Sequence, residues 1–124
     1  MKKSIIISLL CLLTFSCSGN DDESGSNSNN FNPPTWIHGT WLTTNSHGYE
    51  FRPNDFCQVL SSIQTICYNQ TYSQVNDFSV YEEISNTRYF TRIIIAGAEY
   101  NYEFIKISND IIKLNNSNVS YERQ

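Results

Sequence analysis

Turn signals that recur about every 8–12 residues constrain the fold of this chain more than any other feature. From Trp36 onward, pairs such as Pro53-Asn54 separate short runs that are rich in β-branched and aromatic residues. Tyr100, Tyr102 and Phe104 alternate with polar residues, which is typical of a strand with one buried face. The pattern predicts an all-β domain, with strands near 39–44, 48–52, 55–60, 66–72, 77–84, 88–95, 98–107, 111–115 and 118–123.

One window of this pattern allows a second interpretation. The apolar residues between 56 and 63 also fit the spacing of a helix that begins after Asn54 or Asp55. We favour a strand, because Pro53-Asn54-Asp55 is a typical turn between two strands.

The N-terminal segment has the order of a secretory signal peptide. Lys2 and Lys3 precede an apolar run that is interrupted only by Ser8 and ends near Leu13. This run is shorter than the ~20 apolar residues that a membrane-spanning helix needs. Residues 1–16 are therefore predicted to be removed during export.

The end of this segment resembles the lipobox of bacterial lipoproteins, in which cleavage occurs just before a cysteine that then carries lipid. Ser16 and Cys17 fit the cleavage site, although Leu13 lies one position earlier than in most members. The resemblance implies lipidation at Cys17 and anchoring in the bacterial outer membrane, in either leaflet. The alternative is ordinary cleavage, which would release a soluble protein.

The residues after Cys17 have the composition of a tether. Residues 18–35 are mostly Ser, Asn and Gly, and such a segment buries too little apolar surface to offset its ordering entropy. We predict a disordered tether over residues 17–35, with a reach of roughly 20–25 Å. Asp21-Asp22-Glu23 resembles the acidic export signal of some surface lipoproteins, or is simply a solvated linker.

Charge excludes two classes of partner. Removal of Lys2 and Lys3 with the signal leaves six Lys and Arg against twelve Asp and Glu, a net charge of −6. A chain this acidic lacks the basic surface that binds phosphate groups, so we expect no nucleic-acid partner. A polybasic membrane-binding face is excluded for the same reason.

Two cysteines remain in the predicted domain. Cys57 and Cys67 flank Ser61-Ser62, a plausible hairpin turn, and exported proteins form stable disulfides. We predict a Cys57–Cys67 disulfide that stabilises the domain by about 2–3 kcal/mol. A metal or redox pair is the alternative, but neither a CxxC spacing nor a nearby histidine supports it.

The start and end of the domain resemble small lipocalin-like β-barrels of bacteria. Gly39-Thr40-Trp41 is a Gly-x-Trp triplet at the first strand, and Tyr49-Glu50-Phe51 and Ser120-Tyr121-Glu122-Arg123 are similar to later strands of such domains. The resemblance implies an antiparallel up-and-down barrel of about eight or nine short strands over residues 36–124. It also implies that Trp41 closes one end of the barrel and that Arg123 lies across its ring, beside Gly39.

Aromatic residues of the domain have two interpretations. In the first they fill the barrel as core, and in the second they line a ligand pocket with their hydroxyl groups. The residues predicted to line such a pocket are Tyr68, Tyr72, Tyr89, Tyr100, Tyr102 and Phe104.

No pattern in the sequence predicts catalysis, a metal or a cofactor. Neither histidine, His38 or His47, belongs to a metal-binding motif. Glu82 and Glu83 are adjacent and would point to opposite faces of a strand, so they cannot form a glycosidase pair. We interpret these carboxylates, like Glu50 and Glu103, as solvated surface groups.

The sequence thus predicts a non-enzymatic envelope lipoprotein that binds a small apolar or amphipathic molecule. The alternative is an inhibitor or immunity-type module with a filled barrel, which contacts an envelope protein through its outer face. Phe90 and Ile94 would face outward if Tyr89, Ile93 and Ile95 face inward.

Overall fold

A computed structural model describes residues 24–124 of the chain. The signal peptide and Cys17 lie outside the described residues. Ten strands and two short helical segments make up the fold. They are β1 (Ser24–Ser28), a 3-10 helix (Thr35–Ile37), β2 (Gly39–Leu42), β3 (Gly48–Arg52), β4 (Asp55–Ser61), β5 (Gln64–Cys67), α1 (Tyr68–Tyr72), β6 (Ser79–Ile84), β7 (Arg88–Ile95), β8 (Ala98–Lys106), β9 (Ile111–Leu114) and β10 (Ser120–Arg123).

All ten strands belong to one curled antiparallel sheet, in the order β1-β6-β7-β8-β9-β10-β2-β3-β4-β5. Consecutive strands are neighbours from β2 to β5 and from β6 to β10, and β10 pairs with β2 as in an up-and-down barrel. The sheet does not close, because its two edge strands, β1 and β5, do not pair with each other. The all-β antiparallel prediction is confirmed, whereas the closed barrel is wrong: the fold is a half-barrel.

Next to the free edge formed by β5, a strand was predicted over 66–72. That prediction is wrong, since β5 ends at Cys67 and α1 follows directly. The Asp55 carboxylate accepts hydrogen bonds from the backbone N–H groups of Asn69 and Gln70, at 2.7 and 3.1 Å. These bonds satisfy two N–H groups that the first turn of a helix leaves without partners. The helical alternative for 56–63 does not occur, because β4 occupies that window.

The half-barrel has two different ends. Residues 35–38 cross one end, which we call the closed end: the Trp36 indole donates to Ser85 after β6, and the His38 carbonyl accepts from Arg123 in β10. The opposite, open end carries the β2–β3, β4–β5 and β7–β8 turns and the β9–β10 loop. None of the helices in residues 24–124 is long and apolar enough to span a membrane.

The core lies on the concave face of the sheet. Directly opposite residues of antiparallel strands share a face, and the register places Ile84, Tyr89 and Phe104 in one such row. The buried cluster comprises Phe31, Ile37, Trp41, Phe51, Phe56, Tyr68, Phe78, Val80, Tyr89, Ile93, Phe104, Ile112 and Tyr121. Aromatic side chains therefore fill much of the space that a lipocalin-like barrel would leave for a ligand.

The folded part begins earlier than the predicted boundary at Trp36. β1 pairs with β6, and Phe31 is buried against Phe56, Tyr68 and Phe78. The expectation of a disordered tether thus differs from the structure over residues 24–35. One buried apolar ring and a strand made mostly of Ser, Asn and Gly are enough to order this segment, because β6 supplies the edge with which β1 pairs.

Glu82 corrects the prediction that this carboxylate is solvated. Its side chain points to the concave face and is only 2% exposed. It accepts a hydrogen bond from the Tyr89 hydroxyl and a bifurcated one from the Asn32 backbone N–H, at 2.9 Å to Oε1 and 3.0 Å to Oε2. Glu82 therefore fixes the N-terminal segment to the interior of the half-barrel.

The predicted disulfide is confirmed. Cys57 of β4 lies directly opposite Cys67 of β5, and a two-residue turn, Ser62-Ile63, connects the strands. The bond lies at the free edge formed by β5. It holds the last hairpin of the sheet in register where no further strand covers it.

Candidate functional site

The closed end brings together the three residues predicted to close the barrel. The Arg123 guanidinium carbon lies 4.1 Å from the ring centre of Trp41, whose side chain is fully buried. Arg123 also donates to the carbonyls of His38, Trp36 and Asn109, at 2.6, 2.8 and 3.0 Å. The Trp41 indole donates to Ile37 at 2.7 Å.

Gly39 allows the close approach of these groups. Its φ of +116° lies in the region that disfavours side chains, and a Cβ there would lie 3.4 Å from Arg123 Nη1. Arg123, Trp41 and Gly39 thus form a structural assembly that closes one end of the half-barrel, and they offer no group to a ligand.

The six aromatic residues predicted to line a pocket do not form one. Tyr89 and Phe104 are fully buried in the core, and Tyr68 is nearly so. Tyr72 and Tyr102 are half-buried, and Tyr100 is 44% exposed near the β7–β8 turn. Most of these residues therefore act as core, which was the alternative interpretation.

A hydroxyl network connects part of this group to β4. The Tyr102 hydroxyl lies 2.8 Å from the Tyr68 hydroxyl and accepts from the Gln58 amide at 2.8 Å. Burial raises the pKa of Tyr68 and of Tyr102, and burial with neighbouring tyrosines raises the pKa of Tyr49. These hydroxyls therefore stay neutral at physiological pH and act as hydrogen-bonding groups.

An open pocket of about 660 Å³ lies on the concave face at the open end. The β2–β3 turn forms one side of it, and β3, β4 and β10 form the rest. Tyr49, Gln58, Leu60, Val119 and Tyr121 are among its lining residues. The rings of Tyr49 and Tyr121 lie 5.3 Å apart, edge to face.

Sequence reasoning did not select these lining residues. The alternation of Tyr49 with Phe51, and of Val119 with Tyr121, marks one face of each strand. Those faces come together because β10, β2, β3 and β4 are neighbours in the sheet, and this strand order is seen in the structure but not in the sequence. His47, which the sequence places in a turn, also lines the open pocket.

The convex face of β6, β7 and β8 carries a different chemistry. Phe90 does face outward, with the guanidinium carbons of Arg88 and Arg92 at 5.5 and 5.7 Å from its ring centre. Arg88 forms ion pairs with Glu83 and Glu103, and these bonds lower the pKa of both carboxyls. Phe90 is thus partly covered by charged neighbours.

One cluster of potential metal ligands lies within residues 24–124. The cluster found there places Glu50 beside Cys57 and Cys67, with ligand atoms within 4.8 Å of one another. Both sulfurs are bonded to each other in the disulfide, so neither is available as a thiolate ligand. His38 lies elsewhere, with Nε2 2.8 Å from the Pro33 carbonyl oxygen.

Comparisons with known proteins supply no relative for this geometry. No protein-family model matches the chain, and no curated protein or solved structure is significantly similar to it. The lipoprotein and lipocalin-like resemblances stay predictions from the sequence. The open pocket is the feature of residues 24–124 best suited to hold a small molecule.

Proposed function

We propose that this chain is a non-catalytic envelope lipoprotein whose half-barrel binds a small amphipathic molecule in the open pocket. The observation that carries the proposal is the pocket itself, on a concave face that aromatic side chains otherwise fill. Its volume of about 660 Å³ lies within the range of roughly 300–1,000 Å³ found for ligand sites.

The surroundings of the pocket support this proposal. Leu60 and Val119 give it an apolar side, while Asn45, His47 and Gln58 give it polar groups. The closed end is crossed by residues 35–38, so a ligand would reach the pocket from the open end. A rigid concave wall with a few convergent polar groups is the usual form of a binding site.

Filling the pocket tests this function. Val119 lines it and is 45% exposed, so Val119→Trp should place an indole in the cavity without disturbing the core. We expect native mass spectrometry of the full chain to show a co-purified small molecule, and Val119→Trp to lower its occupancy at least about tenfold. Ile107→Trp is the matched control, since Ile107 is 55% exposed at the closed end and should leave occupancy unchanged.

One observation favours the interaction module as a second function. Ile63 at the β4–β5 turn is 95% exposed, and Leu60 nearby is exposed as well. Exposed apolar side chains that lie close together form a patch, and apolar patches are a feature of protein contact surfaces. A bound polypeptide in the same native spectra, without a small molecule, would select this function over the first.

Anchoring is tested at the predicted lipid site. Since acyl chains on one cysteine hold a protein at the bilayer, the wild-type chain should fractionate with membranes and Cys17→Ser should shift it to the soluble fraction. Cys11→Ser is the control, because residue 11 would leave with the signal peptide. Membrane association that survives Cys17→Ser would contradict the proposed anchor.

A further inference from the structure

The open pocket has an uncharged lining. Its twelve lining residues include no Asp, Glu, Lys or Arg. The chain as a whole has 20 such residues, and several of them cluster on the convex face around Arg88 and Arg92. The pocket is therefore distinct in its chemistry from the outer surface of the same sheet.

This lining disfavours charged ligands. A carboxylate or phosphate bound there would lose water without gaining an opposite charge, and so would an amine facing no carboxylate. In addition, the negative net charge of the chain repels anions. A fatty acid, the simplest amphipathic ligand, is thus a poor fit.

The same residues suit a ligand that carries many hydroxyl groups. Thr43 and Thr44 each offer a hydroxyl, and Asn45 and Gln58 each offer an amide. Hydroxyls and amides both donate and accept hydrogen bonds, as sugar hydroxyls do. Such groups outnumber the aliphatic side chains on the same face, which are Leu60 and Val119, so the lining suits a polar neutral ligand better than a purely apolar one.

Two tyrosines also line this wall, but their ring faces belong to the core. Tyr49 stacks on Phe56 and packs edge to face with Tyr121, which is itself buried, and burial keeps the Tyr49 hydroxyl protonated by raising its pKa. The match to a ligand therefore rests on the hydroxyl and amide groups, which bind the hydroxyls of a sugar. We propose that the open pocket binds a neutral polyhydroxylated molecule, a sugar or short oligosaccharide. This inference rests on the proposed binding function and names its ligand class.

Ligand-observed NMR on the full chain tests the class. The probes are neutral hexose, pentose and N-acetylhexosamine oligosaccharides, with glucuronate, laurate, decanol and choline as charged or apolar alternatives. We expect binding to one or more of the neutral sugars. Asn45→Ala should weaken it about five- to tenfold, the effect of one lost hydrogen bond. Asn109→Ala, which removes an exposed amide at the closed end, should leave it unchanged.

The remaining outcomes separate the two proposals. Binding of laurate, decanol, choline or glucuronate without any neutral sugar, blocked by Val119→Trp, would overturn the ligand class and leave the pocket function standing. Sugar binding that survives Val119→Trp would place the site elsewhere and overturn both. An absence of binding by every probe, together with native spectra free of a bound molecule, would also overturn both.

Discussion

Replacing Trp41 with alanine should lower the free energy of unfolding by about 3–5 kcal/mol, the usual cost of removing a buried large aromatic side chain. Trp41 is fully buried, donates to the Ile37 carbonyl and stacks under Arg123. The change would therefore leave a cavity, an unpaired carbonyl and a guanidinium without its aromatic partner. Urea unfolding of the full chain, followed by circular dichroism, measures the effect.

Trp36 provides the matched control for this prediction. It lies at the same end of the half-barrel and donates to the Ser85 carbonyl at 2.8 Å, but its side chain is only half-buried. Trp36→Ala should cost about 1–2 kcal/mol. Equal effects for the two substitutions would show that Trp41 has no special role in closing this end.

Glu82→Ala should have the second-largest effect, a loss of about 2–4 kcal/mol in the free energy of unfolding. The substitution removes the acceptor of the Tyr89 hydroxyl and of the Asn32 N–H, and each buried donor left unpaired costs about 1–3 kcal/mol. Limited proteolysis should cut residues 24–35 faster in this variant, because Asn32 loses its bond to the interior. An unchanged unfolding curve would contradict the role given to Glu82.

The pH dependence of the same group is tested by Glu82→Gln. Burial raises the pKa of Glu82 in the folded chain, although its hydrogen bonds oppose that shift. A carboxyl whose pKa is higher in the folded state stabilises the fold below its unfolded pKa, and this contribution is lost as pH rises through the folded pKa. We therefore expect the stability of wild type relative to Glu82→Gln to fall from acidic to neutral pH. Glu83 and Glu103, whose lowered pKa values act in the opposite direction, are common to both proteins and cancel.

Local sequence signals predicted the strands well where neighbouring strands are also neighbours in sequence. Pro53-Asn54 and Ala96-Gly97 do form turns between paired strands, and Cys57 and Cys67 do meet across a hairpin. These features depend on contacts within about ten residues, which turn chemistry and alternation encode directly.

Long-range contacts explain the departures from prediction. Residues 68–72 form a helix because Asp55, more than ten residues earlier, accepts from its first N–H groups. Residues 24–28 form a strand because β6 offers an edge far away in the sequence. Neither partner leaves a signal in the segment itself, so composition favoured a strand in one case and disorder in the other.

The ligand-lining prediction shows a second limit of sequence patterns. Tyr100, Tyr102 and Phe104 share one face of β8, as their alternation predicted, yet they are exposed, half-buried and fully buried in turn. Alternation identifies the face of a strand but not the position along the axis of the half-barrel. That position decides whether a side chain joins the core or reaches the pocket.

The place where β1 begins has a consequence for how the protein would be presented at a membrane. Ser24 pairs with Ile84, next to the β6–β7 turn, so the chain enters the fold at the end opposite the pocket. Only six residues, 18–23, separate Cys17 from β1, and six residues reach at most about 20 Å even when fully extended. If Cys17 carries lipid, the domain would sit close to the bilayer, with the open pocket at the end farther from it.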